Sequence, residues 1–176
     1  MAAQLNDTNW YAIFYPNPTE EQLLEALKDE RWVIREAAAG HRRATERVQL
    51  EALQDSIWCV REAAAKLATS ERVLLAAIID PDQRVRIAAA SSASASAKVL
   101  LAAMEDADPE VRWAAVTNAN ATERVLVAGV MDTVALVRKA AARHPNATER
   151  VLVIAAEDPD IKVQAYAKRE LAIRLA

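Results

Sequence analysis

The run Asn120-Ala121-Thr122-Glu123-Arg124-Val125-Leu126 leads through Asp132 to Val137-Arg138-Lys139-Ala140-Ala141-Ala142-Arg143-His144-Pro145, and then begins again at Asn146-Ala147-Thr148-Glu149-Arg150-Val151-Leu152. It is one repeat unit. The rest of the chain falls into register behind it, with Asp29, Asp55, Asp80, Asp106, Asp132 and Asp158 standing 26, 25, 26, 26 and 26 residues apart. A period in this range marks an architecture of stacked supersecondary units, each too small to bury its own apolar face.

Each unit reads as two short helices. The first opens on Thr19, Thr45, Ser70, Ser96, Thr122 or Thr148, whose side-chain oxygens suit the free N–H groups of a helix start. Glutamate follows at once in five units (Glu20, Glu46, Glu71, Glu123 and Glu149), where a carboxylate meets the positive helix end. Apolar residues recur behind it as Val48, Leu50 and Leu53, Val73, Leu75 and Ile78, Val99, Leu101 and Met104, and Val125, Val127 and Val130, which predicts one core face.

The repeated aspartate ends this helix and is expected to cap the next, with Pro81 and Pro159 at the first helical position. Five residues on stands Ile34, Val60, Val85, Val111, Val137 or Val163, followed in five units by an arginine: Arg35, Arg61, Arg86, Arg112 or Arg138. Alanine pairs come next, and small side chains at fixed positions let neighbouring helices approach closely. The second helix is expected to stop near His41, Leu67, Ser92, Asn118 or His144. Ser91 to Ala97 is low in complexity yet keeps the period, so it reads as a turn inside the array.

Composition agrees with an all-α class. Two glycines in 176 residues leave few backbone breaks, and 53% hydrophobic with 27% charged residues is ordinary for a globular chain. The expected architecture is a single α-solenoid domain over residues 1–176, made of six two-helix repeats of about 26 residues. An aromatic N-terminal cap is expected over 1–18 (Trp10, Tyr11, Phe14 and Tyr15), repeats over 19–157, and a last half-repeat with an amphipathic C-terminal cap over 158–176, helical to Leu175.

The pattern Asp-x-x-x-x-Val-Arg-x-x-Ala-Ala-x-His-Pro of Asp132 to Pro145, with Thr148 and Leu152 beyond it, resembles the leucine-rich repeat variant family, and more loosely short HEAT-type repeats, over about residues 19 to 170. That resemblance implies a right-handed solenoid in which one helix of each pair can be partly 3₁₀. Relatives with an iron–sulfur cluster hold it on N-terminal cysteines that this chain lacks, so no cofactor is implied. Function does not follow from such a fold.

Little in the chain points to catalysis. His41 and His144 share one repeat column and read as helix-end residues, and Cys59 has no repeat-matched histidine. A glycine-rich loop, a metal-spaced cluster and a serine elbow are all missing, so neither an enzyme nor a metal site is expected. A net charge of −3 gives no global field for a polyanion. No apolar run approaches a membrane span, Met1 to Thr8 lacks the build of a signal peptide, and a lone thiol suits a reducing compartment, so a cytoplasmic location is expected. Asn120-Ala121-Thr122 and Asn146-Ala147-Thr148 match a glycosylation sequon but are read as helix-entry sequence.

The Asp and Arg columns are expected to be structural, rebuilt in each unit as a cap and an ion pair between units. A second basic row, Arg47, Arg72, Lys98, Arg124 and Arg150, lies in the first turn of the first helices. It pairs with glutamates of the preceding row, or else it forms an anion track for nucleic acid or phosphate, as in a HEAT-like DNA-binding or repair protein.

The columns that vary are the better candidates for a partner, because a repeat scaffold keeps its core regular and diversifies its binding face. They hold Trp32 and Trp58 in one row, and Glu36, Glu62, Ile87, Trp113 and Lys139 in another. These residues are the expected contact surface for a protein or peptide, with Trp113 expected to be exposed and Trp32 and Trp58 either exposed or packed between second helices.

Overall fold

The computed structural model describes residues 17–174. The aromatic residues expected to cap the N-terminus, Trp10, Tyr11, Phe14 and Tyr15, and the expected helix end at Leu175 lie outside the described residues. Twelve α-helices and no strand occur among those described. They are α1 (Glu20–Ala26), α2 (Trp32–Ala39), α3 (Glu46–Ala52), α4 (Trp58–Lys66), α5 (Glu71–Ala77) and α6 (Gln83–Ser91). The chain continues with α7 (Ala97–Met104), α8 (Pro109–Thr117), α9 (Glu123–Val130), α10 (Ala135–Ala142), α11 (Glu149–Ala155) and α12 (Ile161–Arg174). Each pair is one repeat, as the period requires.

The helices form two compact units that divide between Ser94 and Ala95, inside the serine–alanine run. In the first, α1, α3 and α5 pack side by side, and α2, α4 and α6 form a second row. In the second, the rows are α7, α9 and α11, and α8, α10 and α12. Helices of seven to nine residues are too short to persist alone in water. Packing against like neighbours is what holds them.

The first helices start as their sequence predicts. Thr19, Thr45, Ser70, Ser96 and Thr148 each accept an N–H from two or three residues on, and Thr19 forms a full capping box with Gln22. Thr122 occupies the same position without a side-chain cap.

Three expectations need correcting. The core face of the first helices is carried by Val48, Val73, Val99, Val125 and Val151 with the residue that follows each; Leu74, Leu100, Leu126 and Leu152 are fully buried, while Leu50, Leu75, Leu101 and Val127 are only half-buried. In two turns of helix the buried side chains are neighbours i, i+1, i+4 and i+5, and the expected spacing was one residue out. Pro81 and Pro159 precede the second helices, which begin at Gln83 and Ile161; among the described residues only Pro109 sits at a helix start. The partial 3₁₀ character that the resemblance leaves open does not occur among the described residues, where all twelve elements are α-helices.

The repeated aspartate has a different job from capping. The N-cap residues of the second helices are Arg31, Ile57, Asp82, Asp108 and Val134. The carboxylates of Asp29, Asp55, Asp80, Asp106, Asp132 and Asp158 each accept the N–H two residues on, at 2.7 to 2.9 Å, and so fold the turn before the helix. The same carboxylates receive the arginine of the previous unit: Arg35 on Asp55, Arg61 on Asp80, Arg112 on Asp132 and Arg138 on Asp158. Each of these arginines also donates Nη1 to the carbonyl of its own unit's aspartate. One guanidinium thus ties two consecutive turns together. At Asp29, Arg31 of the same turn supplies the guanidinium.

The helix-end column is structural as well. The Nδ1 atoms of His41 and His144 each accept the N–H two residues on, as Ser92 and Asn118 do with side-chain oxygens. Because Nδ1 accepts, the Nε2–H of buried His144 is the donor to the Asn118 carbonyl, 3.1 Å away. Asn120 and Asn146 spend their side-chain amides on carbonyls of the preceding turn.

Candidate functional site

With the regular columns consumed by the stack, two surfaces remain to be weighed. The first is the basic row at the first-helix starts. Arg47 lies 3.3 Å from Glu20, Arg72 3.3 Å from Glu46, and Arg150 3.5 Å from Glu123. The same glutamates accept hydroxyls: Thr45 donates to Glu20 and Ser70 to Glu46. Three of the five cations are therefore held in an alternating ladder with acids. Arg124 is exposed, and the residue before Lys98 in its own helix start is Ala97, so the ladder lacks a glutamate there. Lys98 is exposed too.

These pairs contribute little to stability. Arg47 is 71% exposed, and an exposed pair is screened by water and salt. Arg47→Ala is expected to change the unfolding free energy by less than about 0.5 kcal/mol in urea titration. A loss of more than about 1 kcal/mol would show that the ladder is structural.

The second surface is the second-helix face. In the first compact unit, α2 carries Trp32 and Glu36, α4 carries Trp58 and Glu62, and α6 carries Ile87, so five of the expected contact residues share three adjacent helices. Trp32 is 43% exposed, and Trp58, Glu36, Glu62 and Ile87 are half-buried. In the second compact unit, Trp113 on α8 is 43% exposed and Lys139 on α10 is half-buried. Val33 and Leu136 add open apolar surface on α2 and α10.

One feature of this face was not singled out in the sequence. Arg84, the second residue of α6, lays its guanidinium carbon 3.4 Å from the centroid of the Trp58 ring. Its charge is received by Asp82 at 2.7 Å, which holds the Asp82 carboxyl down at about 2. The contact joins residues of neighbouring columns, so a comparison within one column does not reveal it.

Cys59 lies half-buried between these groups. Burial first, and then the charges of Glu36 and Glu62, push its thiol above the ordinary range, with Arg84 opposing them. A raised thiol is a poor nucleophile. His41 is shifted down by burial and by Arg42 and Arg43, and it sits in a turn rather than in a cleft. Among the described residues no group of three or more His, Cys, Asp or Glu side chains is placed to hold a metal ion. No helix among them is long and apolar enough to cross a membrane.

The fold and its exposed columns define a tandem two-helix repeat protein whose second helices carry aromatic rings at the surface. Neither a family model nor a curated protein matches the chain. A solved structure described as "a leucine-rich repeat variant with a novel repetitive protein structural motif" is similar to it at 19% identity, over 93% of this chain and 82% of that one, with a TM-score of 0.39.

Proposed function

We propose that the chain is a non-catalytic scaffold that takes a protein or peptide partner on the second-helix face, in a reducing compartment such as the cytoplasm. The observation that supports this is the exposure of Trp32 and Trp113 at columns the core does not use. Large aromatic side chains open to water at a regular scaffold's variable positions are the residues that carry binding energy when a partner covers them. The Asp and Arg columns and three of the five first-helix cations are occupied with internal pairs and turns, so they offer a partner less.

Trp113→Ala tests the reading. Its indole is nearly half exposed, so the substitution is expected to lower stability by under about 1 kcal/mol, against roughly 3–5 kcal/mol for a buried aromatic residue. Capture of a partner from native lysate should fall with Trp113→Ala and should withstand nuclease and moderate salt. Capture that vanishes with nuclease or collapses with salt would transfer the function to the Arg47 to Arg150 row.

A further inference from the structure

We infer that the Trp32 face of the first compact unit is a slot for an arginine side chain of the partner, whose guanidinium stacks on the indole and shares its charge with Glu36 and Glu62. This rests on the scaffold reading above and names the chemistry of the partner segment.

The precedent lies within the chain. Trp32 and Trp58 are both the first residue of a second helix, α2 and α4. The next second helix covers Trp58 with Arg84, its own second residue, and Asp82 neutralises that arginine. The corresponding second residue of α4, which stands to Trp32 as Arg84 stands to Trp58, is Cys59. A thiol is short and uncharged, so it leaves the ring of Trp32 open, in line with its greater exposure.

Acidic groups complete the slot. Glu36 is four residues after Trp32 and Glu62 four after Trp58, so each lies one turn along the same helix face as its tryptophan. Both carboxylates bear on the Cys59 thiol. Neither takes part in an ion pair among the described residues, and Arg84, the cation that acts on the Cys59 thiol, is committed to Asp82 while its charge also reaches Glu62.

An open indole and two unpaired carboxylates around a small side chain fit a planar cation. Arginine suits them better than lysine, because its guanidinium stacks flat on a ring, is weakly hydrated, and presents a fork to two acids. A phosphate or an acidic segment would be repelled, and a purely apolar one would strand the carboxylates without partners.

The full chain has four tryptophans, so its indole N–H resonances resolve the test, each assigned by Trp→Phe replacement. Tetra-arginine peptide is expected to move the Trp32 resonance saturably, tetra-lysine about threefold to fivefold more weakly, and tetra-citrulline not at all. Cys59→Arg should supply the guanidinium internally, shift Trp32 without peptide and abolish the response. Glu36→Gln should weaken the response while leaving the fold intact.

The inference is overturned if Trp32 does not move at low salt, if all indoles move alike, or if tetra-lysine equals tetra-arginine. It also falls if Trp32 shifts with protein concentration alone, since a second copy then covers the face. Partner capture that depends on Trp113 with no arginine response at Trp32 removes the slot and leaves the scaffold. A specific arginine response, with capture unchanged by substitutions anywhere on the second-helix face, supports the slot and removes the scaffold.

Discussion

Asp132→Ala is expected to destabilise the second compact unit by roughly 3–5 kcal/mol, the loss that follows when one partner of a buried ion pair is removed. The Arg112 side chain is 12% exposed and that of Asp132 4%, with Nε to Oδ2 at 2.6 Å and Nη2 to Oδ1 at 3.0 Å. Without the carboxylate, Arg112 keeps only the carbonyls of Asp106 and Ala107. The Val134 N–H, which donates to Asp132 at 2.8 Å, loses its acceptor as well. Asp132→Asn restores an acceptor for Val134 but not the charge, so its loss should be smaller, and the difference between the two variants separates turn from ion pair.

Acid should act on the same contacts. Burial raises the Asp132 carboxyl, and the Arg112 hydrogen bonds, the Val134 N–H and the charges of Arg112 and Arg138 together bring it below the ordinary range. Asp158 is lowered chiefly by its hydrogen bond from Arg138. A carboxyl whose folded pKa is depressed binds fewer protons folded than unfolded, so stability rises with pH through that window. The contribution is complete above the unfolded value of about 3.9 and is lost as pH falls below it through the folded pKa. Chemical unfolding followed from about pH 6 to pH 2 should therefore show an acid limb that is shallower in Asp132→Asn. Equal slopes in wild type and variant would assign that limb to other carboxylates.

The regular part of this structure was legible because every unit must rebuild it. A helix start needs an oxygen at Thr19 or Thr148, and each join between units within a compact unit needs a carboxylate and a guanidinium, so those residues recur and announce themselves. What the repeat pattern placed wrongly was decided by angles within seven residues. The buried leucine column of Leu74, Leu100, Leu126 and Leu152 is one position from the expected one, and about 100° separates successive side chains on a helix. Gln49 obscured that column further: it sits buried in the leucine position and donates to the Leu67 carbonyl at 3.3 Å. The candidate surface was legible as variation, since Trp32, Trp113 and Lys139 break their columns. Its chemistry was not, because the stack of Arg84 on Trp58 crosses columns and depends on how far one helix reaches over the next.

Gly129→Ala should destabilise the second compact unit even though alanine is the better helix former by about 1 kcal/mol. Five units have alanine at this position of the first helix, namely Ala26, Ala52, Ala77, Ala103 and Ala155. Glycine in the fifth unit goes with valine at position 116, where Ala39, Ala65, Ala90 and Ala142 stand in the other units that another unit follows, and Lys168 stands in the last. A Cβ on Gly129 would lie 2.6 Å from Val116 Cγ1 and 2.7 Å from Ala141 Cβ, both fully buried. Valine in a helix has one strongly preferred rotamer, and an alanine methyl cannot turn away, so the helices themselves must separate. Overpacking of this kind costs about 1–3 kcal/mol, which offsets or exceeds the helix-forming gain. Val116→Ala alone should lose about 2 kcal/mol through the methyl groups withdrawn and the space left behind. The double variant restores the alanine pair that Ala39 and Ala52, or Ala142 and Ala155, already use. It should be more stable than the sum of the single losses predicts by about 1–2 kcal/mol in a double-mutant cycle read by urea unfolding. Strict additivity would mean that α8 and α9 accommodate the extra methyl independently, and that valine and glycine at these two positions are not a matched pair.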